Sequence, residues 1–231
     1  MTETPFLDPR DKLYFAYRTT WFRRFVIFVL GSVFKLIMKL EVKNIENLPT
    51  DGAVVMTANH VTNFDVIPMQ LSLPRPIFFM GKASLFKIPI FEAAIRNLGA
   101  FPVYRGEKDE WALRHAARVL EHGQMLGMFP EGTRSKGKGL SVAKTGSARL
   151  ALDAGCPIVP LAVIGTDGFF KRFPYRTHVT IKILPPILPK PNETPLALMD
   201  RVMFALAAEL PEDMRGVYGN IPKGFEQPGN H

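Results

Sequence analysis

Apolar residues recur along most of this chain in short blocks, separated by stretches whose polar and apolar positions alternate with a helical period. The blocks at 53–58, 76–80, 100–104, 125–129, 157–165 and 178–184 are rich in Val, Ile, Phe and Met and are flanked by Gly, Pro or Asn. Such runs predict strands. The segments between them predict helices with recognisable ends. In 107–123, acidic residues crowd the first turn, His122 sits in the last, and Gly123 supplies a left-handed stop. The stretch 140–155 closes in the same way at Gly155, and Thr194 followed by Pro195 opens a third helix as N-cap and first helical residue. A further helix is expected to start at Thr62 or Asn63, with Pro68 blurring its first turns. Strands alternating with helices predict an α/β fold, a mixed and largely parallel sheet flanked by helices.

The first 40 residues have a different texture. From Trp21 to Leu40 the chain is apolar and aromatic, yet its uncharged core runs only from Phe25 to Phe34. That is short of the roughly 20 apolar residues that a simple membrane span requires. Arg24, Gly31, Lys35 and Lys39 fall near one helical face, which suits a helix lying at a lipid surface with its basic side chains snorkelling to headgroups. Tyr14, Phe15 and Tyr17 suggest a shorter helix before it. The expected organisation is therefore an N-terminal helical membrane-associating motif over 1–41, an α/β domain over 42–210 and an irregular, Gly- and Pro-rich tail over 211–231.

Composition sharpens this picture. A 47% hydrophobic content supports a sizeable core, and a formal net charge of +8 favours anionic partners such as acidic headgroups or a phosphorylated substrate. Cys156 is the single cysteine, which rules out an internal disulfide and a Cys-rich zinc site and suits a reducing compartment. No cleavable signal pattern is read at the N-terminus. The five histidines show no metal-ligand spacing, so no metal is expected. No GxSxG elbow, HExxH or dinucleotide fingerprint is present.

Two stretches carry candidate chemistry. In 58–66, ANHVTNFDV, His60 follows a strand at the end where open α/β sheets place their sites, and Asp65 lies five residues on. A carboxylate so placed holds the imidazole tautomer and leaves the other ring nitrogen free to deprotonate a hydroxyl. No Ser, Thr or Cys nucleophile pairs with it. Direct attack of a bound alcohol on an acyl donor is the economical reaction, with backbone N–H groups near the helix start as the candidate oxyanion donors. In 127–139, GMFPEGTRSKGKG, glycines and the cations Arg134, Lys136 and Lys138 make an anion-binding loop. Glu131 within it contacts a substrate hydroxyl or pins Arg134. Lys82 and Arg105 also follow strand ends, so in a parallel sheet Lys82, Arg105 and Arg134 share an edge with His60.

NHVTNFD, GAFPVYRG, FPEGTRS and PIVPLAVIG, in this order, resemble the four motifs of the glycerolipid acyltransferases, the lysophosphatidic acid acyltransferase branch in particular. The resemblance covers about 42–190. It implies His60 as catalytic base with Asp65 orienting it, and Arg105 as the basic residue of the second motif. It further implies Glu131, Gly132, Thr133 and Arg134 as the third motif, which binds the acceptor's glycerol phosphate, and Lys82 as a phosphate contact. Pro157 and Pro160 match the fourth motif, associated with acyl-donor binding and packing. Thr62 stands where serine is commoner; either offers a hydroxyl. The implied activity is acylation of the sn-2 hydroxyl of lysophosphatidic acid from acyl-CoA or acyl-carrier protein, with no cofactor, at the cytoplasmic face of the cell membrane. A relative using another lysolipid or a glycolipid acceptor is the alternative within the class. A non-catalytic basic protein binding membrane or nucleic acid is the alternative outside it, although no nucleic-acid-binding signature appears and nucleic acid is not an expected partner.

Overall fold

A computed structural model describes residues 10, 12–17, 20–104, 109–169, 171 and 174–220. Among these, seven strands form one sheet: β1 (Met38–Lys43), β2 (Val54–Ala58), β3 (Ile77–Lys82), β4 (Ala100–Val103), β5 (Met125–Met128), β6 (Ile158–Ile164) and β7 (Thr177–Ile183). Their order across the sheet is β1-β7-β6-β2-β5-β3-β4. The run from β6 to β4 is parallel, whereas β7 lies antiparallel to β6 and carries β1 parallel on its outer side. All six predicted strands are present.

Burial follows sheet position. Central β2 is buried at every residue, and β6 at all but its last, as expected of strands covered on both faces. At the far edge β1 alternates buried Met38 with exposed or half-buried neighbours. One face is covered by α4 (Glu110–Glu121), α5 (Gly146–Ala154) and α6 (Pro195–Ala208), whose Ala116, Val119, Ala148, Ala151, Val202 and Leu206 form the larger core. The other face meets α2 (Val66–Ser72) through Met69 and α1 (Trp21–Ile37) through Phe34, which packs on Phe169 and Val179. A further helix, α3 (Pro89–Asn97), packs beside α1. Caps act as the sequence implies: Thr194 Oγ1 accepts from Ala197 N at 3.2 Å, Asp109 caps α4 from Ala112 N at 3.0 Å, and Gly155 ends α5 at φ 59°.

Several expectations change. Helix α1 ends at Ile37, not Leu40, because 38–43 pairs with β7; the expected boundary at 41/42 therefore falls within a strand of the sheet. The shorter helix expected at Tyr14–Tyr17 is an irregular segment, held by Tyr14 O to His115 Nε2 at 3.0 Å and by Tyr17 Oη to Ile77 O at 3.1 Å. Residues 1–9 lie outside the described residues. The helix expected over 140–155 begins only at Gly146. Distant partners take the backbone before it: Leu140 N donates to Met214 O, Leu140 O accepts from Val217 N, and Lys144 N donates to Pro130 O. The tail, as far as 220, forms two short 3-10 turns, and its Tyr218 is buried with its hydroxyl on Ala143 N at 3.1 Å. Among the described residues no helix is long and apolar enough to cross a membrane.

Candidate active site

Five parallel strands release their chains along one edge, and the candidate residues fall there. His60 follows β2, Lys82 ends β3 and the 129–139 loop follows β5, which lies between them. Arg105 lies outside the described residues. With neighbouring strands about 4.8 Å apart, the exits of β2 and β3 are about 10 Å from one another.

Around His60 the packing is dense and polar. Its Nδ1 lies 2.8 Å from Asp65 Oδ2, and the same oxygen accepts from Val61 N at 2.7 Å and Thr62 N at 2.9 Å. The other oxygen accepts from Thr62 Oγ1 at 3.2 Å and Thr166 Oγ1 at 2.5 Å. Asp65 is fully buried, and these donors take the place of solvent around its two oxygens. Helix α2 begins at Val66, so Asp65 precedes it and turns back over the tight turn 61–65 rather than extending from the first helical turn. The imidazole stacks on Phe129 with centroids 4.0 Å apart and planes at 17°, and Phe129 stacks in turn towards Phe79. Ring position is thus set by one hydrogen bond at Nδ1 and one apolar face.

The third-motif carboxylate serves the backbone. Glu131 is 4% exposed; its Oε1 accepts from His60 N at 2.8 Å, and its Oε2 accepts from Ser141 N at 3.2 Å and Ser141 Oγ at 3.4 Å. Ser135 N donates to His60 O at 2.7 Å. The loop after β5 therefore clamps both backbone groups of His60. Burial raises the Glu131 carboxyl above the ordinary range, and the N–H bonds from His60 and Ser141 oppose that rise. Neither role expected of Glu131, a substrate hydroxyl contact or a pin for Arg134, matches this geometry. The carboxylate fixes the histidine instead. Three of the backbone N–H groups near the helix start are engaged within the turn: Val61 and Thr62 amides face Asp65, and Phe64 N donates to Thr62 Oγ1 at 3.1 Å.

A cleft of about 550 Å³ opens at this edge, lined among others by His60, Gly132, Thr133, Lys144, Met80 and Phe129. Val103, Ala112, Leu113 and Met128 line it as well, so polar and apolar side chains share the cleft. Gly132 adopts φ +68°, the left-handed region, which exposes the loop backbone at the mouth. Lys82 and Arg134 are exposed and lie at the same edge but are not among the residues lining the cleft. Among the described residues no cluster of His, Cys, Asp or Glu suits a metal ion. Pro160 is buried inside β6, where its carbonyl accepts from Leu184 N at 2.9 Å, and Pro157 O accepts from Val55 N at 3.0 Å. Both stand as packing residues.

Sequence reasoning missed Thr166, Phe129, Ser141 and Lys144. Thr166 follows the exit of β6 and Phe129 that of β5, so the rule that placed His60 at a strand end reaches both. Nothing local marks Ser141 or Lys144, whose roles arise from the fold.

A family model described as Acyltransferase matches residues 39–164. Two similar proteins are the 1-acyl-sn-glycerol-3-phosphate acyltransferases of Borreliella burgdorferi and Escherichia coli. The first is 31% identical over 135 residues, 58% of this chain and 54% of the relative; the second is 33% identical over 157 residues, 65% and 63% respectively. The alignments thus span less than two thirds of either relative's length. A crystal structure of the 1-acyl-sn-glycerophosphate acyltransferase PlsC from Thermotoga maritima is similar with a TM-score of 0.62 and 28% identity, covering 81% of this chain and 79% of that one.

Proposed function

The chain belongs to the acyltransferase family, and from that premise we propose that it acylates the sn-2 hydroxyl of lysophosphatidic acid, using acyl-CoA or acyl-carrier protein as donor. The observation that carries the reading is the His60–Asp65 pair, with His60 lining a cleft that also presents apolar side chains. Asp65 holds Nδ1, so Nε2 is the ring nitrogen that exchanges protons with what enters. It takes the proton of the acceptor hydroxyl as the oxygen attacks the thioester carbonyl carbon. The tetrahedral intermediate then expels sulfur, the C–S bond breaks, and the imidazolium returns its proton to the leaving thiolate. Asp65 stabilises the imidazolium between these steps. No cofactor enters this sequence.

The names of the relatives support lysophosphatidic acid as acceptor. Site residues are assigned by chemistry: His60 as base, Asp65 as its orienting partner, Glu131 as the clamp on the histidine backbone, and Gly132 and Thr133 as mouth contacts for the acceptor. Lys82 and Arg134 keep their role as cations of the same sheet edge, contacting the anionic headgroup, and Arg105 keeps its expected role as the basic residue of the second motif.

Membrane association at the cytoplasmic face forms part of the same reading. Helix α1 exposes Trp21 at 78%, Phe28 at 71% and Leu36 at 69%, while Ile88 and Ile90, beyond the exit of β3, are 60% and 85% exposed. Such apolar bulk beside exposed Arg24, Lys35 and Lys39 suits an anionic lipid surface.

The test is thiol release from acyl-CoA with a panel of lysolipids in micelles. Lysophosphatidic acid is expected to give the highest rate, and His60→Ala to lose about 10² to 10⁴ in kcat. Undiminished activity in that variant would remove His60 from the chemistry. A higher rate with another lysolipid would reassign the acceptor.

A further inference from the structure

Among the described residues, the motif cations Lys82 and Arg134 do not line the cleft that holds His60; Lys144 does. Its place is built from both sides. The backbone N–H of Lys144 donates to Pro130 O at 2.8 Å, tying it to the turn that carries Glu131 and Gly132. Its side chain lies across Gly132, so that a Cβ at Gly132 would stand 3.0 Å from Nζ and 3.1 Å from Cε. Gly132 and Thr133 line the same mouth. Asp109, the carboxylate that also lines the cleft, is occupied by Tyr104 N at 2.8 Å and Ala112 N at 3.0 Å. No carboxylate pairs with Lys144 among the described residues. An exposed ammonium with no countercharge, beside a general base in one cleft, lacks an anion, and the acceptor brings one only a few bonds from its reacting hydroxyl.

We propose that Lys144 is the residue that holds the acceptor's phosphate while His60 holds its hydroxyl, and that Lys144 thereby sets the preference for a phosphorylated acceptor. The proposal rests on the acyl-transfer reading and assigns a substrate contact outside the four motifs. Lysine serves here as a point charge on a flexible stem, which suits a phosphate that must enter and leave with each turnover.

The experiment compares the wild type with Lys144→Met and Lys144→Arg. Methionine keeps the stem's bulk and removes the charge, and because the side chain is exposed the melting temperature is expected to stay within a degree or so. A charge-assisted hydrogen bond is worth about 1.5–3 kcal/mol, so Lys144→Met should raise the acceptor KM by about tenfold to a hundredfold. The acyl-CoA KM should stay unchanged, and Lys144→Arg should recover most of the loss. Glycerol 3-phosphate should compete with the acceptor in the wild type and not in Lys144→Met. An unchanged acceptor KM, or a rise confined to the acyl-CoA KM, overturns the proposal. Calorimetric titration of a short-chain lysophosphatidic acid into each protein keeps the two readings apart. If the wild type releases no thiol, the acyl-transfer reading fails, and equal affinity of wild type and Lys144→Met then refutes the phosphate contact as well. If the wild type turns over and the variants match it, only the Lys144 assignment falls.

Discussion

Asp65 shows how much one side chain carries. A single oxygen takes three N–H groups, from the imidazole and from two backbone amides, while the second faces the hydroxyls of Thr62 and Thr166. Asparagine can reproduce this pattern in part. Its carbonyl can meet the three donors, and its NH₂ can face two hydroxyls able to accept. What it lacks is the negative charge that stabilises an imidazolium. Asp65→Asn is therefore expected to fold with a melting temperature close to the wild type's and to lose about a hundredfold or more in kcat, with little change in KM. Steady-state kinetics beside a thermal melt checks this; a collapse of the fold with no separable catalytic loss would show that Asp65 is structural.

At the scale of elements, the histidine's position depends on how strands pack. Gly127 in β5 has no side chain because Phe79 of the adjacent β3 lies where one would project: a Cβ would sit 2.2 Å from the ring. Phe79 in turn faces Phe129, on which His60 stacks. Gly127→Val should therefore cost about 1–3 kcal/mol as overpacking and also lower kcat, through a displaced aromatic stack; a denaturant titration and an activity assay read the two effects. Helix α4 supplies a pH-dependent element. His115 is 3% exposed, its ring lies among Phe15, Phe101 and Trp111, and its Nε2 meets Tyr14 O. Burial lowers its pKa to about 4. The folded protein thus binds fewer protons than the unfolded chain between about 4 and the unfolded value near 6.5. Its contribution to stability is present above pH 6.5 and is lost as pH falls towards 4. With each pKa unit worth about 1.4 kcal/mol, urea midpoints should fall over that window, and His115→Phe should flatten the slope.

For the whole molecule, charge and exposed apolar surface are what support the proposed membrane association. The net charge of +8 and the exposed side chains of α1 and of the β3–α3 corner favour an anionic bilayer. Burying one large apolar side chain is worth about 1.5–3 kcal/mol, so Phe28→Ser combined with Ile90→Ser should weaken sedimentation with vesicles containing anionic lipid by at least tenfold. Added salt should weaken the wild type's binding too, and insensitivity to both changes would place the lipid surface elsewhere. The sheet itself makes the site possible at this scale. Parallel strands bring His60, the 129–139 loop and Thr166 to one edge although up to 106 positions separate them.

Local sequence determined six of the seven strands, the capped helices and the histidine–aspartate turn. Burial of apolar runs, capping hydrogen bonds and a five-residue reach are short-range matters that a linear pattern records. Even His60 and Asp65 were legible, because the turn that joins them is contiguous. The tertiary structure alone decided that Glu131 clamps the histidine and that Lys144 reaches the cleft. It also decided that 38–43 is a strand and 140–145 is not helical. In each case a backbone or side-chain group found its partner far along the chain, as Glu131 did 71 residues from His60 and Leu140 did at Met214 and Val217. The physical reason is that buried polar groups must be satisfied wherever a partner stands in space, and sequence spacing carries no record of that distance.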